Sequence, residues 1–133
     1  MIEGLEELEV ITLFVEDLAA SKKFYTEVFG LGVLMQDEVS ALVRMSNLVL
    51  NLLQATEAPT LVEPAAVGSA GRGAQLLLTI KVDDANAVVA KLEAHGVKLL
   101  NGPVDRPWGR RTAAFADPSG FVWEIAQELP EAV

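Results

Sequence analysis

The stretch Arg106-Pro-Trp-Gly-Arg-Arg-Thr-Ala-Ala-Phe-Ala-Asp-Pro-Ser-Gly-Phe-Val-Trp-Glu-Ile-Ala-Gln127 decides the fold of this chain, because it reads as turn, strand, turn and strand. Pro107 to Gly109 combines a fixed φ with a permissive glycine, which is typical of a tight turn that presents Trp108. Asp117-Pro118-Ser119-Gly120 is a second turn, because aspartate can bond its own backbone and proline presets the next position. The sequence therefore predicts a hairpin whose outgoing strand runs from Phe121 to Gln127.

Glu124 is a single carboxylate in this otherwise apolar strand. Side chains alternate between the two faces of a strand, so Glu124 lies on the face opposite Trp123, which we expect in the core. Two interpretations of Glu124 stay open: it contacts a ligand, or it forms a structural ion pair with Arg110 or Arg111. Ligand contact is the interpretation we favour.

The composition of the 133 residues predicts one domain, residues 1–133, large enough to bury a core of its own. The chain has no cysteine, which excludes disulfides, thiolate metal sites and cysteine nucleophiles. Its net charge of −9 argues against nucleic acid and anionic membranes as partners. No signal peptide is recognisable, and no apolar run reaches the roughly 18 residues that span a bilayer. We therefore expect a cytoplasmic protein.

The chain reads as two similar modules separated by a connector. The first module, residues 9–53, and the second, residues 75–127, each predict a strand, a helix and up to three further strands. Residues 54–74 are rich in proline, glycine and alanine and form the predicted connector. The fold class is therefore α+β, built from two β-α-β-β-β modules. Each module is too small to bury its helix and its sheet alone, so we expect the two to pair.

The two helices show the repeat most directly. Asp17 caps a predicted helix from Leu18 to Phe29, and Asp84 caps one from Ala85 to His95. The two caps are 67 residues apart, whereas the last strands of the two modules are related by 73 residues. The hairpins between the helix and the last strand absorb this difference of 6 residues.

Each module also carries short motifs of its own. They are Val15-Glu16-Asp17-Leu18, Phe24-Tyr25 and Phe29-Gly30-Leu31 in the first, and Pro107-Trp108-Gly109-Arg110, Asp117-Pro118-Ser119-Gly120 and Trp123-Glu124-Ile125 in the second. This pattern resembles the vicinal oxygen chelate superfamily, which includes glyoxalase I, extradiol dioxygenases, and fosfomycin- and bleomycin-resistance proteins. The resemblance implies the glyoxalase/bleomycin-resistance fold, with paired modules whose curled mixed sheets surround a cleft, and a homodimer. It leaves the activity open, because this fold hosts unrelated chemistries.

The resemblance also implies four positions at which enzymes of the superfamily hold a divalent metal with His, Gln or Glu. In this chain they are Val10, Asn51, Leu77 and Glu124. Val10 and Leu77 have no lone pair to donate, and Asn51 is a poor ligand for first-row metals. The chain's one histidine, His95, is expected at a helix end, where it interacts with the helix dipole. No metal and no other cofactor are predicted.

Without a metal, the face that carries these positions would line an apolar cleft suited to a small molecule, or would fill as packed core. By alternation the face holds Val10, Thr12, Phe14, Val49, Asn51, Leu53, Leu77, Thr79, Val122, Glu124 and Ala126. Trp108 resembles the tryptophan that lines the drug groove of bleomycin-resistance proteins, although the same motif also occurs as a plain turn. The predicted ligand contacts are Glu124, Trp108, Asn51, Phe14, Thr12, Thr79 and Arg110.

The sequence thus predicts a metal-independent binding protein that sequesters a small aromatic or cationic compound, as resistance proteins do. An enzyme is the alternative: a glyoxalase-type lyase or isomerase with Glu124 as general acid or base, or a dioxygenase-like enzyme with non-standard metal ligands. Arg44, Arg106 and Arg110 leave open whether the ligand is an acid. The sequence also leaves open whether the modules pair within one chain or across a dimer.

Overall fold

The computed structural model describes residues 1–131, so the last two residues of the predicted 1–133 domain lie outside the described part. The chain divides into two compact units between Ser69 and Ala70, inside the predicted connector. The first unit contains β1 (Val10–Val15), α1 (Leu18–Glu27), β2 (Gly32–Gln36), β3 (Ser40–Arg44) and β4 (Val49–Gln54). The connector carries a 3-10 turn (Ala55–Glu57), the short helix α2 (Pro59–Val62) and a second 3-10 turn (Ala70–Arg72).

The second unit repeats the order of the first. It contains β5 (Leu77–Val82), α3 (Ala85–Ala94), β6 (Leu99–Arg106), β7 (Arg110–Ala116) and β8 (Val122–Glu128). Each unit forms an open four-stranded sheet, with strand order β1-β4-β3-β2 in the first and β5-β8-β7-β6 in the second. The pairs β1–β4 and β5–β8 are parallel and the remaining pairs antiparallel. The predicted α+β class with two β-α-β-β-β modules is confirmed.

Both long helices begin at the predicted aspartate caps. Asp17 Oδ1 accepts a hydrogen bond from the Ala20 N–H at 3.1 Å, and Asp84 Oδ1 accepts one from the Ala87 N–H at 3.0 Å. A helix start leaves four backbone N–H groups without intrahelical partners, and an aspartate cap satisfies one of them.

A glutamine at the end of the parallel strand satisfies a further N–H in each helix. Gln54 Oε1 accepts from the Leu18 N–H at 3.1 Å, and Gln127 Oε1 accepts from the Ala85 N–H at 2.9 Å. Because these glutamines lie on one face of their strands, they identify the face that the helix covers. We call the opposite face of each sheet its open face.

The helix-covered faces form the two cores. In the second unit α3 buries Trp123, which is 2% exposed, as predicted from its strand position. In the first unit the rings of Phe24, Tyr25 and Phe29 meet with centroids 5.1 to 5.7 Å apart, which confirms a packing role for the first two. The buried apolar strand residues of the covered faces are Leu13, Val15, Ala41, Val43, Leu50, Leu52, Ala113, Phe115, Trp123 and Ile125.

Several predicted element boundaries were wrong by one or two residues; α3, for example, ends at Ala94 and not at His95. Helix α1 ends at Glu27 and not at Phe29, because the chain leaves the helix at Gly30, whose φ is +71°. Phe121 lies outside β8, because its N–H donates to Asp117 Oδ1 at 2.8 Å and thereby closes the preceding turn.

Strand β6 contains a bulge that matters for the site. Asn101 pairs with Ala114 and Val104 pairs with Thr112, so the register shifts by one residue between them. Gly102 lies in this interval with a φ of +87°, and a Cβ there would meet the Thr112 carbonyl oxygen at 2.4 Å. A one-residue shift exchanges the faces of a strand. The bulge therefore turns Asn101 onto the open face.

Among the described residues, no helix combines the length and the apolar character needed to cross a membrane.

Candidate functional site

The open face of the second sheet carries the polar group that the sequence singled out. Thr79 and Glu124 occupy paired positions on the parallel strands β5 and β8, and Ala114 pairs with Glu124 from the other side. The Thr79 hydroxyl donates to Glu124 Oε1 at 3.1 Å. Oε2 of the half-buried Glu124 makes no hydrogen bond within residues 1–131. One carboxylate oxygen is thus fixed and the other is available to a ligand.

The alternative interpretation of Glu124, an ion pair with a neighbouring arginine, was wrong. Arg111 instead binds Asp105, with Nε to Oδ1 at 2.7 Å and Nη2 to Oδ2 at 3.2 Å. This two-fold contact holds the pKa of the Asp105 carboxyl below its usual value and raises the pKa of the Arg111 guanidinium. Arg110 makes no ion pair with a described residue. Glu124 is therefore paired with neither arginine, and it lies on the open face of the sheet.

Trp108 lies at the tip of the β6–β7 hairpin, where the Gly109 N–H donates to the Arg106 carbonyl at 3.0 Å. The indole is 68% exposed, in agreement with a turn that presents it. The guanidinium carbon of Arg106 lies 6.0 Å from the ring centroid, at the outer limit of a cation–π contact. The hairpin thus offers a flat aromatic surface beside a fixed cation.

Arg106 is the site residue that sequence reasoning did not place. Its Nε donates to Thr112 Oγ1 at 3.0 Å and its Nη2 donates to Asn101 Oδ1 at 3.2 Å. Thr112 faces the open side through its regular pairing with Ala126, and Asn101 faces it because of the β6 bulge. The signal in the sequence is Gly102 inside a strand pattern, since an interior strand glycine often marks a bulge. The sequence does not state which residues the bulge brings together.

The first unit places its predicted site residues on the equivalent open face. Thr12 and Asn51 are paired on β1 and β4, and the Asn51 amide N–H donates to Thr12 Oγ1 at 3.4 Å. Asn51 Oδ1 is buried and has no hydrogen-bond partner among the described groups. Rotating the amide by 180° would give the oxygen a donor but would take the partner from the NH₂ group. Phe14 is half-buried one step along the same face.

The seven predicted ligand contacts therefore fall into two groups, one in each unit. The first unit holds Thr12, Phe14 and Asn51, and the second holds Thr79, Trp108, Arg110 and Glu124.

Comparison with known proteins identifies the family. The model of the glyoxalase/bleomycin resistance protein/dioxygenase superfamily matches residues 7–125. The chain belongs to this superfamily. The resemblance read from the turn and helix motifs is thereby confirmed.

Three relatives illustrate the range of the superfamily around this chain. The uncharacterized protein YaeR of Escherichia coli (strain K12) is 33% identical over 129 residues, which cover 94% of this chain and 98% of YaeR. The crystal structure of a glyoxalase/bleomycin resistance protein/dioxygenase from Nocardioides superposes with a TM-score of 0.84 at 24% identity, covering 98% of this chain and 89% of that one. TnmS3, an antibiotic binding protein from Streptomyces sp. CB03234, has a TM-score of 0.70 at 29% identity, covering 96% and 99%.

The residues at the four metal positions that the resemblance implies do not fit a divalent cation. Val10 and Leu77 are 38% and 51% exposed but offer only hydrocarbon, and Asn51 offers a neutral amide. Glu124 is then the one anionic donor of the four, and a single carboxylate with an amide does not make a catalytic metal site. Residues 1–131 contain no group of three or more His, Cys, Asp or Glu side chains able to hold a metal. His95 lies exposed at the C-cap of α3.

Proposed function

We propose that this protein binds a small planar molecule with a basic group, without a metal, on the open face of the second sheet. The observation that carries the proposal is Glu124, a half-buried carboxylate with one oxygen held by Thr79 and the other unengaged. A carboxylate in this setting attracts a cationic hydrogen-bond donor more strongly than one in bulk water does.

Trp108 supplies the second contact. An exposed indole can stack on a flat or cationic ligand and contribute roughly 0.5 to 2 kcal/mol. Micromolar affinity requires about −8 kcal/mol, which burial of an aromatic ring, one charge-assisted hydrogen bond and one stacking contact can supply together. The antibiotic-binding relative TnmS3 supports a sequestering role of this kind.

The functional assembly in this proposal is a cytoplasmic homodimer. The second unit leaves Leu77, Leu100 and Trp108 more than 50% exposed, and apolar exposure of this kind marks a surface that takes a partner or a ligand. Sedimentation at several protein concentrations tests the assembly independently of ligand binding.

The decisive experiment is a calorimetric titration with 9-aminoacridine, a planar cation, in buffer with EDTA. Wild type is expected to bind saturably, and Glu124→Gln is expected to bind at least tenfold more weakly, because the amide cannot neutralise the ligand's charge. Glu93→Gln on α3 is the matched control, since it removes the same charge from an exposed helix position and should bind like wild type.

Two results would overturn the proposal. One is the absence of saturable binding by any planar cation. The other is binding or turnover that appears only when Ni²⁺, Mn²⁺, Zn²⁺ or Fe²⁺ is added, which would favour the enzyme alternative with metal ligands from other positions.

A further inference from the structure

Arg106 is held on the open face of the second sheet as a fixed cation. Its two hydrogen bonds, to Thr112 and to Asn101, use two of the five guanidinium N–H groups. Thr112 is only 1% exposed, so one anchor is a rigid part of the sheet. A side chain fixed in this way loses little further rotamer entropy when it binds a ligand.

The charge of Arg106 is not neutralised within the part of the chain that the structure describes. The ion pairs there join Arg111 to Asp105 and Lys81 to Glu128, and no carboxylate lies within 4.0 Å of Arg106. Arg110 pairs directly opposite Arg106 across the hairpin. Like charges at opposite strand positions are destabilising, and a bound anion would relieve the repulsion.

The threonine that anchors Arg106 lies diagonally across the sheet from Glu124. Thr112 pairs with Ala126, and Ala114 pairs with Glu124, so Thr112 and Glu124 are diagonal neighbours on the same face. Diagonal positions of this kind lie about 7–8 Å apart. Arg106 and Glu124 form no ion pair, so both charges remain available to a third partner.

The apolar contact on this face comes from Trp108 and not from the strands between the two charges. Ala114 and Ala126 are 7% and 0% exposed, so a ligand does not reach their methyl groups. The indole of Trp108 is 68% exposed beside Arg106 at the hairpin end. The face therefore offers a cationic contact, an anionic contact and one exposed aromatic ring.

We infer that the ligand is amphoteric: a planar aromatic compound whose carboxylate binds Arg106 and whose basic group binds Glu124. This inference rests on the proposed function and names the class of compound that it takes. The acidic net charge of −9 favours cations in general, but Arg106 selects among them those that also carry an acid. Arg106 is thus a specificity-determining residue.

The test compares norfloxacin, which carries both a quinolone carboxylate and a basic piperazine, with two matched derivatives. The ethyl ester keeps the cation but loses the acid, and N-acetylnorfloxacin keeps the acid but loses the cation. Wild type is expected to bind norfloxacin at least tenfold more tightly than either derivative. Arg106→Gln should bind the acid and the ester about equally, while its affinity for the ester stays unchanged.

Arg72→Gln is the control, because it removes an exposed arginine of the connector and should leave the preference intact. Arg106→Lys keeps the charge but loses the planar fork, and it replaces Arg106→Gln if that variant fails to fold. The inference is overturned if wild type binds the acid and the ester equally, or if the preference for the acid survives in the Arg106 variant. Either result leaves the proposed function standing. Failure of all three compounds and of 9-aminoacridine to bind removes the proposed function itself.

Discussion

The two units of this protein use the same polar contacts to support their helices and different ones on their open faces. Gln54 and Gln127 occupy equivalent positions and accept from equivalent helix N–H groups, at 3.1 and 2.9 Å. On the open faces, the equivalent pairs are Thr12 with Asn51 and Thr79 with Glu124. A neutral amide in one unit thus corresponds to a carboxylate in the other.

The difference separates what the backbone demands from what a ligand demands. A helix start must satisfy its N–H groups in any copy of the module, so the same side-chain solution appears twice. The open face carries no such requirement, and its charge can follow the ligand. We therefore expect scaffold substitutions to act alike in the two units, and open-face substitutions to act differently.

Removal of the central core side chains should have the largest effect. Trp123 and Leu50 occupy equivalent positions and are 2% and 0% exposed. Trp123→Ala is expected to lower the free energy of unfolding by about 3–5 kcal/mol, and Leu50→Ala by about 2–5 kcal/mol. Urea unfolding followed by circular dichroism measures both. A cost below 1 kcal/mol for either residue would show that the two cores do not contribute equivalently.

Loss of the glutamine contacts should come next. Gln127→Ala leaves the Ala85 N–H without its partner, at an expected cost of about 1–3 kcal/mol. Gln54→Ala should cost somewhat more, because Gln54 Nε2 also donates to the Glu16 carbonyl at 2.6 Å. The exposed Gln75→Ala is the control and should be neutral. If only one of the two helix variants is destabilised, the equivalence of the scaffolds fails.

Asn51→Leu tests the open face of the first unit. It replaces a buried oxygen that lacks a partner with a hydrocarbon side chain of the same branching, so the free energy of unfolding should rise by about 1 kcal/mol. Thermal and urea unfolding measure the change. A loss of stability would show that the amide makes a structural contribution and would weaken the contrast between the two faces.

The smallest expected effect is on the acid dependence of stability. Arg111 lowers the pKa of Asp105 in the second unit, whereas the Val39 N–H and the Ser40 hydroxyl lower that of Asp37 in the first. A folded-state pKa below the usual value of 3.8 stabilises the fold above that pH, and this stabilisation is lost as pH falls through the lower value.

Urea unfolding at neutral pH and near pH 3 should therefore show less acid destabilisation in Asp105→Asn and Asp37→Asn than in wild type. High salt should reduce the difference for Asp105, which depends on a charged partner, more than for Asp37. An identical salt response of the two variants would contradict the assigned causes.

Much of the fold was predictable because it follows from local rules. Period-two alternation placed Trp123 in the core and Glu124 on the opposite face, and the repeated aspartate caps gave the order of elements. Alternation did not reveal that Phe121 belongs to the turn before β8. Its place there depends on a hydrogen bond that its N–H donates to the Asp117 carboxylate.

The site was less predictable, since it depends on pairing between strands. Glu124 and Trp108 were recognisable from type and position. Arg106 was not, because its contacts with Asn101 and Thr112 require the register of β6 against β7. Arg110 and Arg111 suggested an ion pair with Glu124. The strand register does not allow this pair for Arg111, which binds Asp105 instead.

The bulge at Gly102 means that the anchoring of Arg106 depends on strand register as well as on side chains. A relative of the same length whose β6 paired regularly with β7, without the bulge, would turn Asn101 toward the helix and leave the Arg106 guanidinium with a single anchor. Under the proposal for Arg106, two such proteins would align without a gap and still differ in the compounds they retain. The glycine that permits the bulge would then carry as much information about ligand choice as a substitution in the site.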